Sequence, residues 1–240
     1  MLVSTPAVVL SSKRYRDSDL IVTCFTRNFG RVSYILKGIL KSRKGKLRPA
    51  FFQPFTLLDL EANHKDNRSL QYIKEARISH PLNSLHSDQI KRAIALFLSE
   101  VLYATLKVEE KQDDLFDYIE TTIKWFETHE TYASFHIVFL LELTKYLGFY
   151  PDVDINHDYF DLVEGRSANR DTGLYSVSGE NLTVLKEILG IKFDRDKEVY
   201  LSMIQKRNLL DMILLYFKVH LDGFKEPKSL TVLNEVFADP

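Results

Sequence analysis

The spacing of apolar residues changes once along this chain, at Pro81. Before that point, apolar and β-branched residues form short runs bounded by turn residues, a pattern typical of β-strands. After it, apolar residues recur every three or four positions over long runs, a pattern typical of packed helices. The sequence therefore predicts an α+β protein, with a β domain at residues 1–80 and an α-helical domain at 81–240.

Five strands are predicted in the first domain. They span residues 7–10, 20–26, 31–37, 55–61 and 70–78. Gly30 lies in the turn before the third strand, where it can take a positive φ. Within that strand, Val32, Tyr34 and Leu36 fall on one face. Five short strands joined by turns in about 80 residues fit a small closed barrel better than an open sheet.

The second domain is predicted to contain six helices. They span residues 87–106, 113–127, 132–147, 179–189, 196–204 and 206–221. Ser87 or Asp88 is the expected N-cap of the first helix. An irregular, polar insertion at about 150–178 interrupts the helices, and its pattern suggests a hairpin that pairs residues 159–163 with 174–177.

Charge divides the chain at the same place. The whole chain has a net charge of −1, but residues 1–80 hold 15 Lys and Arg against 6 Asp and Glu, a net charge of +9. Residues 81–240 hold 17 Lys and Arg against 27 Asp and Glu, a net charge of −10. This asymmetry predicts two domains with different partners. A basic domain attracts polyanions by releasing their counterions, whatever the net charge of the whole chain.

The basic residues concentrate in the connection that follows the third strand. Six cations and no acid lie between residues 37 and 48, namely Lys37, Lys41, Arg43, Lys44, Lys46 and Arg48. Four more lie near neighbouring strand ends, namely Arg14, Arg16, Arg27 and Arg31. Tyr15 and Phe29 are candidates to stack on bases. Cations that follow phosphates, with aromatic rings for bases, are typical of a surface that binds single-stranded nucleic acid. The alternative is a solvated loop that only keeps the protein soluble, and the excess of +9 favours nucleic acid.

Four cations of the acidic helical domain are the predicted partner-binding residues. They are Lys145, Lys206, Arg207 and Lys218. A domain that docks the tail of a partner needs an apolar groove with cations at its rim. The alternative is that these four are scattered surface charges.

Catalysis and metal binding have little support in the sequence. Cys24 is the one cysteine, so an internal disulfide and a multi-cysteine zinc site are excluded, and its apolar strand predicts a small core residue. The residues Asp152, Asp154, Asn156 and Asp158 copy the spacing of a calcium loop. However, His157 occupies the position that needs glycine and Val163 the position of the bidentate Glu. We therefore expect no enzyme, no cofactor and no metal.

No apolar run approaches the ~18–20 residues of a membrane span. Charges interrupt the first 26 residues, so they do not read as a signal peptide. The expected location is the cytoplasm, without a membrane partner.

Four blocks of the sequence match the pattern of a known protein family. The N-terminal block comprises residues 16–23 (RDSDLIVT), 25–26, 29–33 (FGRVS) and 37–38. The others are 53–55 (QPF) with 57–61, 139–151 (FLLELTKYLGFYP) and 216–230 (YFKVHLDGFKEPKSL). In their order and over nearly the whole chain, these blocks resemble the RecO family of bacterial recombination mediators.

The resemblance implies an N-terminal OB-fold barrel followed by a helical domain. It also implies a non-enzymatic protein of the nucleoid that binds single- and double-stranded DNA and anneals complementary strands. The implied protein partners are RecR and the acidic C-terminal tail of single-stranded DNA-binding protein. Through them the protein helps load RecA onto DNA. Many family members carry four zinc-binding cysteines after the residue 139–151 segment, but residues 150–182 here contain none, so no zinc-dependent role is carried over.

The barrel alone leaves an alternative open. Phosphate contacts do not distinguish DNA from RNA, so an RNA-binding OB-fold protein of translation or RNA turnover fits the same pattern.

Overall fold

A computed structural model describes residues 1–41, 47–65, 67–130, 134–190 and 201–238. They form two compact units. The first comprises Met1–Thr128 and Pro227–Val236, and the second the described parts of His129–Glu226 and Phe237–Pro240. The first unit continues beyond residue 80, and the domain boundary predicted there stays a prediction.

The five N-terminal strands close into a barrel, so the predicted fold class is confirmed. They are β1 (Leu2–Tyr15), β2 (Asp19–Thr26), β3 (Gly30–Leu36), β4 (Leu57–Asn63) and β5 (Gln71–His80). Their order is β1-β2-β3-β5-β4, with β3 and β5 parallel and every other pair antiparallel. A five-stranded closed barrel is the architecture of the OB fold. A short 3₁₀ turn, Pro49–Phe52, lies between β3 and β4.

Strand β1 is much longer than the predicted strand at residues 7–10. It pairs with β4 through residues 2–8 and with β2 through residues 7–15, with a register shift between Val9 and Ser11. Strand β1 thus pairs with both β4 and β2, and this double pairing closes the sheet into a barrel. Its second half carries polar residues, and pairing rather than local sequence keeps it extended.

The face of β3 on which Val32, Tyr34 and Leu36 were predicted to lie together points into the barrel. Val32, Tyr34 and Leu36 belong to the barrel core, together with Val22 and Cys24. Cys24 is fully buried, and burial raises the pKa of its thiol. It is therefore a core residue, as the apolar strand predicts. Because neighbours along a strand point to opposite sides, Ile21 and Ile35 face outward.

Seven helices and three short strands follow in the described residues. The helices are α1 (Asn83–Ser87), α2 (Gln89–Thr105), α3 (Asp113–Thr128), α4 (Phe135–Leu147), α5 (Gly179–Ile188), α6 (Met203–His220) and α7 (Leu230–Ala238). The strands are β6 (Tyr159–Asp161), β7 (Arg166–Ala168) and β8 (Ser176–Ser178). None of these helices has the length and apolar character that crossing a bilayer requires.

The helices differ from the prediction at the start of α6 and in two additional short helices, α1 and α7. Helix α6 begins at Met203, where the side chains of Ser202 and Gln205 form a capping box, so the predicted break near residue 205 is wrong. The rest of the helix predicted at 196–204 lies largely outside the described residues. Helices α1 and α7 are short and were not predicted. The predicted N-cap Asp88 is confirmed, since its side chain accepts a hydrogen bond from the Lys91 backbone N–H at 2.8 Å.

A buried lysine ties the first three helices together. The Lys91 ammonium donates hydrogen bonds to Ser84 Oγ at 2.6 Å, to the Phe126 carbonyl at 2.8 Å and to the Glu127 carbonyl at 3.1 Å. The Glu127 carboxylate in turn accepts from the backbone N–H groups of Ser84 and Leu85, both at 2.8 Å. Buried charges need such partners. The network therefore stabilises the helices that follow the barrel.

In the second unit, the insertion folds as a three-stranded sheet in the order β7-β6-β8. The predicted pairing is confirmed by β6 and β8, but β7 adds a third strand that the hairpin prediction lacked. The Tyr216 hydroxyl donates to the Phe149 carbonyl at 2.8 Å. The Lys186 ammonium donates to the carbonyls of Ile155 and His157 at 3.0 and 2.6 Å.

The acidic residues of the calcium-like spacing take part in turn formation. Asp154 Oδ1 accepts hydrogen bonds from the backbone N–H and the side chain of Asn156 at 2.9 and 3.0 Å. These bonds hold the pKa of Asp154 below its ordinary value. In the described part of the chain, no three His, Cys, Asp or Glu side chains are grouped to hold a metal ion.

Candidate nucleic-acid interface

One register row crosses the outer side of the barrel. Lys13 on β1 pairs with Ile21 on β2, Ile21 pairs with Ile35 on β3, and Ile35 pairs with Tyr72 on β5. Directly paired residues point to the same side of a sheet. Lys13 is exposed, Ile21 and Tyr72 are half-buried, and Ile35 is mostly covered. We use the name basic face for this row together with three segments at its border. These are the turn between β1 and β2, the described segment that follows β3, and the described residues between β4 and β5.

The turn between β1 and β2 lies against the segment that follows β3. The backbone N–H of Gly38 donates to Asp19 Oδ1 at 2.8 Å, and that of Leu40 donates to the Ser18 carbonyl at 3.0 Å. These bonds bring the hairpin that carries Arg14 and Arg16 beside the start of the basic connection. The hairpin with Arg14 and Arg16 and the described segment with Lys37 and Lys41 therefore meet at one border of the basic face.

Five predicted DNA-binding cations are exposed. They are Arg14, Arg16, Lys37, Lys41 and Arg48. Among the described residues, none of the five forms an ion pair with a carboxylate. Their charge is therefore available to a polyanion. Three other predicted residues, Arg43, Lys44 and Lys46, lie outside the described residues.

Arg27 and Arg31 are engaged within the fold instead. The Arg27 guanidinium pairs with Asp117 and, at 3.6 Å, with Glu120 on α3. The hydrogen bond with Asp117 is the main cause of a raised pKa of Arg27. Arg31 Nη1 donates to the Tyr103 carbonyl at 2.7 Å, near the C-terminal end of α2. Both arginines thus hold helices against the barrel.

Two tyrosines that the sequence did not single out lie beside cations of the basic face. Lys37 Nζ and the Arg68 guanidinium lie 5.5 and 5.7 Å from the centroid of the Tyr72 ring. Lys13 Nζ and the Arg31 guanidinium lie 5.3 and 4.8 Å from the centroid of the Tyr103 ring. From the sequence, Tyr72 falls within a predicted strand, and Tyr103 falls within a predicted helix whose aromatic spacing indicates a packed core. The outward direction of Tyr72 and its neighbours depend on strand register.

The predicted stacking residues differ from each other. Tyr15 is 38% exposed, with the Arg16 guanidinium 5.1 Å from its ring centroid. Phe29 is half-buried and packs on His64, with ring centroids 4.6 Å apart. Tyr15 therefore remains a candidate for contact with bases, whereas Phe29 packs against the barrel core.

Arg68 is positioned by the buried side chain of Gln71. Gln71 Oε1 accepts from the Lys65 backbone N–H at 2.9 Å, and its Nε2 donates to the carbonyls of Lys65 and Arg68 at 3.0 and 2.8 Å. His64 lies at the start of the same loop, 3.1 Å from the Tyr34 hydroxyl, and burial lowers the pKa of His64. Gln71 thus holds the backbone of Lys65 and Arg68, and the Arg68 side chain lies beside Tyr72.

The four predicted partner-binding cations differ in their surroundings. Lys145 pairs with Glu142 at 2.7 Å, and Lys206 is half-buried, with its pKa lowered by burial. Arg207 and Lys218 are exposed on α6, eleven residues apart, which places them on the same side of the helix about 16 Å from each other. Only this pair shares a helix face among the four.

A groove with the expected apolar character occurs in the first unit. Its volume is about 320 Å³, and its lining includes Leu85, Leu96, Val232 and Val236, with Arg92 among the polar residues. None of the four predicted partner cations contributes to the lining. Arg92 is exposed and is a rim cation that the sequence did not single out.

Comparisons with known proteins cover nearly the whole chain. Residues 1–82 match the family model described as Recombination protein O N terminal, and residues 86–230 match Recombination protein O C terminal. The DNA repair protein RecO of Christiangramia forsetii is 39% identical over 238 residues, which cover 99% of this chain and 100% of that protein. The RecO proteins of Flavobacterium psychrophilum and Bacteroides fragilis are 39% and 34% identical, with the same coverage of both chains.

Proposed function

The chain belongs to the RecO family, and from this membership we propose that it is a non-enzymatic mediator that works directly on DNA. The family gives it a role in DNA repair and recombination. The proposed activities are binding of single- and double-stranded DNA, annealing of complementary strands, and help in loading RecA onto DNA coated by single-stranded DNA-binding protein. The proposed location is the cytoplasm, at the nucleoid.

The observation that supports DNA binding is the set of exposed cations without carboxylate partners at the border of the basic face. Elsewhere on the barrel, cations are partly neutralised, as Lys74 is by Glu61 at 3.5 Å. At the border, Arg16, Lys37 and Lys41 have no such partner among the described residues. A polyanion gains most where cations are not already paired, because binding then releases counterions without breaking ion pairs.

Annealing follows from the same electrostatics. Two complementary strands repel each other through their phosphates, and a protein that neutralises phosphates on both lowers this repulsion. The cations lie in loops and at strand ends, so they can follow backbones of different shape. No base needs to be read by the protein, because the strands select each other by pairing.

The direct test is the rate at which two complementary, fluorescently labelled DNA strands anneal. We expect the protein to accelerate annealing by about 10-fold or more at low salt, since charge-driven encounter gains this much. The acceleration should fall as salt rises. A pair of non-complementary strands is the control and should give no signal. Absence of both binding and acceleration at low salt would contradict the proposal.

The comparisons favour DNA over the RNA-binding alternative. Both family models describe a recombination protein, and the similar proteins are named as DNA repair proteins. Competition between DNA and RNA of equal length measures the preference directly. A marked preference for RNA would support the RNA-binding alternative.

The proposed protein partners are RecR and the acidic C-terminal tail of single-stranded DNA-binding protein, and through them RecA. For the tail, exposed cations next to apolar surface are the requirement. Helix α6 offers this on one side, where Arg207 and Lys218 accompany Ile204 and Leu215, which are 72% and 37% exposed.

We expect the double variant Arg207→Ala, Lys218→Ala to bind a labelled acidic tail peptide about 5- to 30-fold more weakly, as loss of two charge contacts of about 0.5–1 kcal/mol each predicts. Fluorescence anisotropy gives the affinity. Arg92→Ala is the comparison variant, because Arg92 lines the groove of the first unit. Weakening by Arg92→Ala alone would move the tail site to that groove.

A further inference from the structure

The basic face has aromatic rings placed among its cations. Tyr72 ends the register row on β5, and Tyr103 lies near the C-terminal end of α2, 37% exposed. Each ring has two cations within 5.7 Å of its centroid. Ile21, which is half-buried, lies in the same row as Tyr72 and adds apolar surface. Salt bridges to DNA phosphates require none of these rings.

We propose that Tyr72 and Tyr103 are base-stacking residues, and that a single strand crosses the basic face from β1 to β5. This inference rests on the proposed DNA-binding function. It adds which part of the nucleic acid the face contacts, namely unstacked bases in addition to the phosphate backbone.

Exchange of partners explains why the cations lie where they do. In the free protein, Lys37 and Arg68 lie near the electron-rich Tyr72 ring, an arrangement that is weakly favourable at an exposed site. When a strand arrives, a base can take the place of a cation on the ring, and the cation moves to a phosphate. Both new contacts are stronger than the one that is lost. The same exchange applies to Lys13 at Tyr103.

The dimensions of the face suit a short stretch of single strand. Three steps between neighbouring strands, of ~4.8 Å each, separate β1 from β5, or about 14 Å. At ~3.4 Å per nucleotide of a stacked strand, this is about four nucleotides. Four is at the lower end of the ~4–16 nucleotides that one OB fold binds.

Stacking also predicts discrimination between single and double strands. In a duplex the bases stack on one another and are paired, so they are not available to the tyrosines. Duplex DNA then binds through its phosphates alone. Loss of a stacking ring should therefore weaken binding of a single strand and leave duplex binding unchanged.

The test compares Tyr72→Leu and Tyr103→Leu with the unaltered protein. Leucine keeps apolar bulk but has no ring. The probes are a labelled oligothymidylate of about 20 nucleotides, which exceeds one site, an abasic strand of the same length, and a duplex. We expect each variant to bind oligothymidylate about 5- to 30-fold more weakly. Affinity for the abasic strand and the duplex, and the salt dependence, should not change.

Matched variants separate stacking from other effects. Tyr72→Phe and Tyr103→Phe keep the ring and should bind as the unaltered protein does. Tyr175→Leu changes a tyrosine of the second unit that is 38% exposed and should have no effect. If Tyr72→Leu does not fold, as judged by circular dichroism, the more exposed Tyr103 still decides the question.

Two failures have different meanings. If the unaltered protein binds none of the probes, the proposed function is wrong. If it binds oligothymidylate and the leucine variants bind it equally well, or lose duplex affinity to the same extent, only the stacking inference is overturned.

Discussion

Replacing Lys41, Arg43 and Lys44 together by Ala should lower the affinity for single-stranded DNA by about 100-fold at 0.1 M salt. Each phosphate contact contributes ~0.7 to the slope of log affinity against log salt, so about 4–6 contacts give a slope of about −3 to −4. Loss of three contacts lowers its magnitude by about 2. Because the counterion effect disappears near 1 M salt, this difference amounts to about 100-fold at 0.1 M.

A salt series in a fluorescence anisotropy assay measures this slope. The matched control replaces three exposed cations, Arg170, Lys225 and Lys228, by Ala. It changes the net charge by the same amount, and we expect its slope to stay near that of the unaltered protein. An unchanged slope for the first variant would place the phosphate contacts elsewhere, in the first instance at Lys13, Lys37 and Arg68.

The second large effect is expected on stability, for Gly30→Ala. Gly30 has a φ of 63°, and a Cβ at this position would lie 2.2 Å from the carbonyl oxygen and 2.6 Å from the nitrogen of Glu110. Both are backbone atoms, so no side-chain rotation relieves the contact. The connection between α2 and α3 must therefore move. This connection also holds the Glu109 backbone N–H, which donates a hydrogen bond to the Arg31 carbonyl at 3.3 Å. We expect a loss of about 2–5 kcal/mol in the free energy of unfolding, from the left-handed backbone and the overpacking together.

Gly38→Ala is the control for the backbone contribution alone. Gly38 has a φ of 68°, but no atom lies within 4 Å of the position of its added Cβ. We expect Gly38→Ala to lower the free energy of unfolding by only about 1–2 kcal/mol. Urea unfolding followed by circular dichroism gives both values. Equal losses of unfolding free energy in the two variants would show that the contact with Glu110 does not affect stability.

The strands show how much of the secondary structure local sequence predicts. Strands β2 and β3 were predicted to within one residue at each end, β2 from its run of β-branched and aromatic residues and β3 from its alternating apolar side chains. The second half of β1 was missed, since Ser11 to Tyr15 carry no such alternation. That half is extended because β2 pairs with it, and pairing is not a local property.

The candidate site shows the same limit. The exposed cations Arg14, Arg16, Lys37, Lys41 and Arg48 were found from charge alone. Arg27 and Arg31 have the same charge, but their partners lie 90 and 72 residues away in the sequence. Composition cannot distinguish a cation that holds a helix from one that faces solvent.

Side-chain period and composition, which short segments carry on their own, predict the change from strands to helices, the excess of positive charge in the first 80 residues and the apolar face of β3. Tertiary structure fixes which of the described cations lack a carboxylate partner, and it places Tyr72 in one row with Lys13. Register across four strands sets these neighbours, and register depends on how the whole barrel closes.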